Sequence, residues 1–147
     1  FPEKLFNTDF TAKYEEKNVS GQIIGILIPG ADLSGVDFRG KNLKVVIFST
    51  SNVDEFNMEQ HSQRKDYGVN LSDANFSNVD LAEKNLSLVN FNGANFSGAD
   101  LSNSDLRYSD LSGANLESAN LQGTLLDNAI LTGANLKCIN HPICESD

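Results

Sequence analysis

The chain has 147 residues, a length that suits one domain. Its net charge of −9, from 11 basic and 20 acidic residues, argues against nucleic acid or an anionic membrane surface as a partner, because both demand clustered cations. No apolar run approaches the ~20 residues needed to span a bilayer, while Leu, Asn, Ser, Asp and Gly are abundant and Ala recurs at regular intervals, which points to an internal repeat.

Residues 1–20 differ in pattern from the rest of the chain. Thr8 to Lys17 reads as a short amphipathic helix, with Asn7 or Thr8 as N-cap and Phe10 and Tyr14 on one face. Phe1, Leu5 and Phe6 would join it as a cap over the next segment. A first run of five-residue blocks covers 21–53, with apolar centres at Leu33, Phe38, Leu43, Phe48 and Val53. Ile23 and Ile28 share that phase, although their blocks lack the polar residue found before the later centres. Asp54 to Gly68 is polar, carries no repeat, and is expected to project as a loop. Its contact residues would be His61, Arg64, Lys65 and Tyr67. Phe56 and Met58 keep the earlier phase and would fill one more block.

The main run, 69–138, holds 14 consecutive blocks, and the third residue of every one is Leu or Phe. Asn or Asp precedes it in 12 blocks, the exceptions being Leu125 and Ile130. The residue two before is small in all but one, Lys84. A helix cannot use this pattern, because a five-residue step turns the apolar position by ~140°. A straight strand fails as well, since an odd period alternates its faces. The pattern demands a chain that turns a corner every five residues and points the same two positions inward.

Ala114-Asn115-Leu116-Glu117-Ser118 and Ala99-Asp100-Leu101-Ser102-Asn103 resemble the A(D/N)LXX unit of the pentapeptide-repeat family. The resemblance implies an all-β fold: a right-handed quadrilateral parallel β-helix with four blocks per coil. Leu86, Leu106 and Leu126 would then stack in one column, and Phe76, Phe96, Leu116 and Leu136 in another. About five coils would make a rod roughly 25 Å long. Each open end needs a cap. Residues 139–147 leave the repeat and are expected to supply the C-terminal one.

Cys138 and Cys144 lie six apart. They are read as a disulfide closing that cap, which requires an oxidising compartment. The start at Phe1 fits removal of a signal peptide, or simply a shortened chain. An extracytoplasmic setting is expected, periplasm or thylakoid lumen, the latter because relatives the chain resembles occur there and in cyanobacteria. An alternative uses Cys138, His141 and Cys144 as zinc ligands, with His61 or Glu145 as the fourth.

No nucleophile–base pair, phosphate loop or dinucleotide fingerprint is present, so an enzyme is not expected and no cofactor is assigned. Asp100, Asp105 and Asp110 fall on successive faces rather than in a pair. Lys41 and Lys84 occupy small inward positions, where a local bulge would let the amine reach solvent. Leu88 and Tyr108, 20 residues apart, should be neighbours on one outer face. Leu125 lies on that face one coil later, and Ile130 is round the next corner. The four form a candidate partner contact, unless the tail folds back over them with Ile139 and Ile143.

The expected function is a non-enzymatic interaction module of unknown protein partner, with monomer and homodimer both open. The alternative, which the resemblance supplies, is an acidic DNA mimic that inhibits a topoisomerase. The 69–138 run carries 8 acidic and 3 basic residues, whereas 21–53 carries 2 and 3.

Overall fold

A computed structural model describes residues 16–17, 23–26, 32–40, 46–47 and 69–146, with side chains for 32–40 and 69–146. From 69 onward the backbone pairs with itself at a step of 20. Asn75 bridges Asn95, Asn95 bridges Asn115, and Asn115 bridges Asn135, all parallel. Asn70–Asn90–Asp110–Ile130, Asp80–Asp100–Asn120 and Asn85–Asp105–Leu125 make three further ladders. Four ladders with that step are four sides of a stacked coil, as the five-residue period demands.

Each corner follows from local chemistry. The residue after a small inward position is Asn or Asp, then comes the Leu or Phe centre, then the turn. At most corners the N–H three residues beyond the centre donates back to its carbonyl, as Ala94 does to Phe91 at 2.9 Å and Ala114 to Leu111 at 3.0 Å. The second residue after the centre has positive φ at every described block up to Gly133, for example Gly98 at 68° and Asn103 at 56°. That value is what the third position of a type II turn needs, and Gly and Asn adopt it at least cost. At Gly98 space adds a second reason, since a Cβ would lie 2.2 Å from the Asn78 side-chain oxygen one coil below.

The Asn/Asp position closes the turn's remaining donor. Its Oδ1 accepts the N–H two residues on, at 3.0 Å from Ser77 to Asn75 and 3.0 Å from Ser102 to Asp100. The arrangement is an Asx turn repeated at every block that has the residue. Above it the carboxamides link coil to coil, with Asn135 Nδ2 donating to Asn115 Oδ1 at 3.1 Å and Asn140 to Asn120 at 3.0 Å.

The interior is a column of buried Leu and Phe with Ala, Val and Ser between. Phe38, Phe76 and Phe96 stack nearly parallel, with ring centroids 4.7 and 5.2 Å apart, and Phe91 meets the latter two edge-on. Buried hydroxyls are satisfied by backbone: Ser104 Oγ donates to Leu101 O at 2.6 Å and Thr124 Oγ1 to the same carbonyl at 2.8 Å.

The first run departs from the sequence expectation in three places. Asp32 pairs with Asn70 and Asp37 with Asn75, a step of 38 that is 18 longer than the repeat. Asn70 and Leu71 therefore take the rung that a 20-residue step would give Asn52 and Val53. Leu71, fully buried, holds the centre position on that rung, and Val53 lies outside the described residues. Second, β2 (Ile23–Ile26) pairs in parallel with β3 (Val46–Ile47) as Gly25–Val46 and Ile26–Ile47. That step is 21, so Ile23 is one residue out of the phase assigned to it. Third, Glu16–Lys17 is not the end of a helix. It is a short strand, β1, paired antiparallel with β2 in the sheet order β1-β2-β3, where pairing satisfies backbone groups along the β2 edge. The rest of the expected helix, Lys41, and the 54–68 loop with His61, Arg64, Lys65 and Tyr67 lie outside the described residues.

At the far end Ile139 does not leave the repeat. It bridges Asn120 at a step of 19, and its N–H donates to Ala119 O at 2.9 Å. Cys138 consequently takes the small inward position over Ala119 and is buried.

Candidate functional site

The outer faces bear the candidate residues. Leu88 and Tyr108 do stack one coil apart, on the side formed by the Asn85–Asp105–Leu125 ladder. Both are half-buried. Their backbone is in the left-handed region, φ 60° and 61°, which costs a large side chain of the order of 1–2 kcal/mol. The ladder is longer here too. Leu88 N–H reaches Arg107 O at 3.2 Å and Tyr108 N–H reaches Asp127 O at 3.2 Å, against 2.7 Å for Asn103 to Gln122 O and 2.8 Å for Asp73 to Asn92 O. Beside Tyr108, Arg107 forks onto Asp105, Nε to Oδ1 at 2.9 Å and Nη2 to Oδ2 at 2.8 Å. The pair sets a polar border to the apolar line.

Leu125 and Ile130 sit on the last described rung of their ladders and are 45% and 48% exposed. Each occupies the Asn/Asp position of its block, whereas Leu88 and Tyr108 occupy the corner. The tail does not cover them. Ile143 packs on the core with Cys144, but Ile139 is itself 48% exposed. The tail instead crosses the end of the coil. His141 Nε2 contacts Thr124 O at 3.2 Å, and Glu145 N–H donates to Leu136 O at 2.7 Å.

Cys138 and Cys144 are joined by a disulfide, with Cα atoms 5.0 Å apart. Their sulfurs then cannot serve as thiolate ligands, and both His141 nitrogens face protein partners, Nδ1 accepting from Ile143 N–H at 3.3 Å. The zinc alternative is set aside on that ground.

Lys84 keeps the 20-residue step through Asn85–Asp105, so no bulge releases it. The half-buried amine is held below the ordinary lysine value by desolvation, with Asp80 opposing in part. Folding therefore carries a cost while both states are protonated, and stability rises as pH climbs through the lowered folded value towards 10.5. Lys84→Ala should stabilise the fold by up to about 1 kcal/mol near neutral pH, a figure kept small because the amine still meets water. The gain should shrink above pH ~10; urea midpoints across that range measure it. Asp80, Ala82, Glu83 and Lys84 line an open depression. Among the described residues no group of three or more His, Cys, Asp or Glu is placed to hold a metal.

What the sequence reading missed is the Asx bond. At Leu125 and Ile130 it is absent, and Asp127 and Thr132 lose the acceptor their counterparts have.

With the four ladders and repeated Asx corners in place, the class is defined. Residues 70–107 and 109–140 match the family model described as pentapeptide repeats, in eight copies. Residues 70–140 thus carry the repeats of that family, whose fold is the right-handed quadrilateral β-helix. Among solved structures, the chain is similar to a pentapeptide repeat protein from the Arabidopsis thaliana thylakoid lumen, at 22% identity over 84% of this chain and 70% of that one, with a TM-score of 0.49. A pentapeptide repeat protein from Nostoc PCC 7120 is 24% identical over 74% and 77%, with a TM-score of 0.44. QnrB1, a plasmid-mediated fluoroquinolone resistance protein, is 27% identical over 80% and 55%, with a TM-score of 0.41. No curated protein matches the chain.

Proposed function

We propose that the chain is a non-enzymatic protein-interaction module that binds through its outer face, with Leu88 and Tyr108 as the central contact. The observation that supports this is paired strain. Two large side chains hold left-handed corners on successive coils, at the turn position that Gly and Asn fill at Gly93, Gly98 and Asn103. A strained conformation kept at two vertically adjacent positions is a reason to look for function there. An apolar line with the Arg107–Asp105 pair at its border has the make-up of a small protein contact. The loop residues His61, Arg64, Lys65 and Tyr67 would extend the contact, and the disulfide favours an oxidising, extracytoplasmic compartment.

Leu88→Asn tests the trade directly. Relief of the corner should raise stability by about 1 kcal/mol while weakening partner binding. Affinity capture from the native compartment with wild type and Tyr108→Asp gives the binding half. Recovery of the same proteins by both, at the same level, would remove this face from consideration.

The acidic-mimic reading has one observation behind it: Asp80 and Asp100 stack on one ladder, with Asp105 and Asp110 on the next two sides. Asp105, however, is neutralised by Arg107. A gyrase supercoiling assay with no inhibition at micromolar protein would dispose of it.

A further inference from the structure

Asn92 and Gly93 form the one Asn-Gly pair in the sequence, which has no Asp-Gly. The pair makes the corner between Phe91 and Ala94, both fully buried. Asparagine before glycine is chemically labile, because a residue without a side chain leaves its backbone nitrogen unhindered in attacking the neighbouring carboxamide.

Packing requires one half of the pair and not the other. Gly93 has φ 69°, and a Cβ there would lie 2.3 Å from Asp73 Oδ1 in the coil below. A side chain at this corner would have to displace that carboxylate. Position 92 carries no such demand, since the same place is Ser72 in the coil below and Ser112 and Thr132 in the coils above.

The 92–93 peptide is clamped between coils. Its carbonyl, Asn92 O, accepts from Asp73 N–H at 2.8 Å, and its N–H, on Gly93, donates to Ser112 O at 2.9 Å. Ala94 N–H closes the turn onto Phe91 O at 2.9 Å. The Asn92 carboxamide is tethered as well, Nδ2 donating to Ser112 Oγ at 2.6 Å. Ring closure needs the Gly93 nitrogen to face Asn92 Cγ, so the peptide must swing out and give up both backbone bonds. Asn92 is exposed, so the restraint is geometric and not a lack of water.

We infer that Asn92 is a deamidation site which the stacked coils keep closed and which opening of the stack releases. The freed Gly93 nitrogen attacks Asn92 Cγ. A C–N bond forms, the amide leaves as ammonia with the Gly93 proton, and a five-membered succinimide remains. Water then opens the ring at the Cγ carbonyl to give aspartate, or at the α-carbonyl to give isoaspartate. The sum is asparagine plus water to a carboxylic acid plus ammonia.

The two products differ in what they do to the fold. Aspartate keeps the chain path. Isoaspartate routes the backbone through Cβ and Cγ, one carbon longer, and leaves the former carbonyl as a free carboxylate. Phe91 and Ala94 then cannot both point inward at the five-residue step, and Asp73 N–H loses its acceptor. The corner is thus a one-way mark of unfolding: a chain that stays open long enough is barred from restacking.

Peptide mapping by mass spectrometry tests this on the oxidised chain, held at mildly alkaline pH in buffer and in guanidinium chloride. In denaturant Asn92 should convert faster than any other asparagine. In buffer its conversion should be at least tenfold slower, in proportion to the small open fraction. Phe76→Ala, which loosens the adjoining coil, should speed conversion in buffer and leave the denatured rate unchanged. Asn92→Ser should fold and yield no product at this corner. After removal of denaturant, chains with aspartate at 92 should regain the wild-type circular dichroism and isoaspartyl chains should not. Equal rates in buffer and denaturant would overturn the proposal. So would a faster asparagine elsewhere in the denatured chain, a Phe76→Ala rate in buffer no greater than wild type, or isoaspartyl chains that restack as the aspartyl ones do.

Discussion

Replacing Phe76 by Ala should lower the unfolding free energy by about 3–5 kcal/mol, read as a drop in the urea midpoint. Phe76 is fully buried and is the middle ring of a stack, 4.7 Å from Phe38 and 5.2 Å from Phe96, with Phe91 at 5.9 Å edge-on. Its loss opens a cavity between three rings that have no means of closing in, because the hydrogen-bonded ladders on either side fix the spacing between coils. The same change at Leu126, only partly buried at the last rung, should cost under about 2 kcal/mol. Coils touch only their neighbours, so the Phe76 variant should also lose cooperativity first on the Phe38 side. Faster hydrogen exchange at Phe38, whose N–H donates to Asn75 O at 2.9 Å, would report that. Equal acceleration at Phe38 and Leu121 in the variant would contradict it.

Breaking the Cys138–Cys144 link should cost roughly 2–3 kcal/mol and uncover the end of the coil. The disulfide joins a residue locked in the inward column over Ala119 to one beside Ile143; the His141 contact with Thr124 O lies between the two cysteines, and the Glu145 contact with Leu136 O follows directly after the second. Without the link those two bonds must hold the tail against its own chain entropy. Leu126, Leu131 and Leu136, now partly buried, would then gain exposure, visible as increased binding of an apolar dye. Cys138→Ser and Cys144→Ser should act alike if the cross-link is the cause. A much larger effect from Cys138→Ser alone would mean that packing in the column matters more.

Much of the architecture was legible because one residue type at one spacing has one physical use. Leu or Phe every fifth residue can share an interior only in a chain that turns a corner every five residues; the four-sided coil, and with it the columns at Leu86–Leu106–Leu126 and Phe76–Phe96–Leu116, came from the resemblance to pentapeptide repeats. The register between runs was not legible. Val53 satisfies the five-residue phase as well as Leu71 does, and only pairing of Asp32 with Asn70 decides between them. Ile139 escapes the pattern for a similar reason: a step of 19 moves a β-branched residue onto the ladder, although the run of blocks has ended. Strain at Leu88 and Tyr108 was invisible as strain, yet the sequence carried its sign, because both are large apolar residues at a corner otherwise given to Gly, Asn, Asp, Ser and, once, Glu83. The Asx bond could have been found the same way, from Asn and Asp recurring two residues before the turn.

Phe38 N–H meets Asn75 O at 2.9 Å, and Asn75 N–H meets Val36 O at 2.9 Å, lengths no different from those between coils joined by a plain repeat. The stack thus keeps no record of how much chain ran between one level and the next. Such a corner is a splice point: a peptide of almost any length and chemistry can be grafted there at the modest, logarithmic entropy of a longer loop. A scaffold of this kind can diversify by insertion while its interior stays the same.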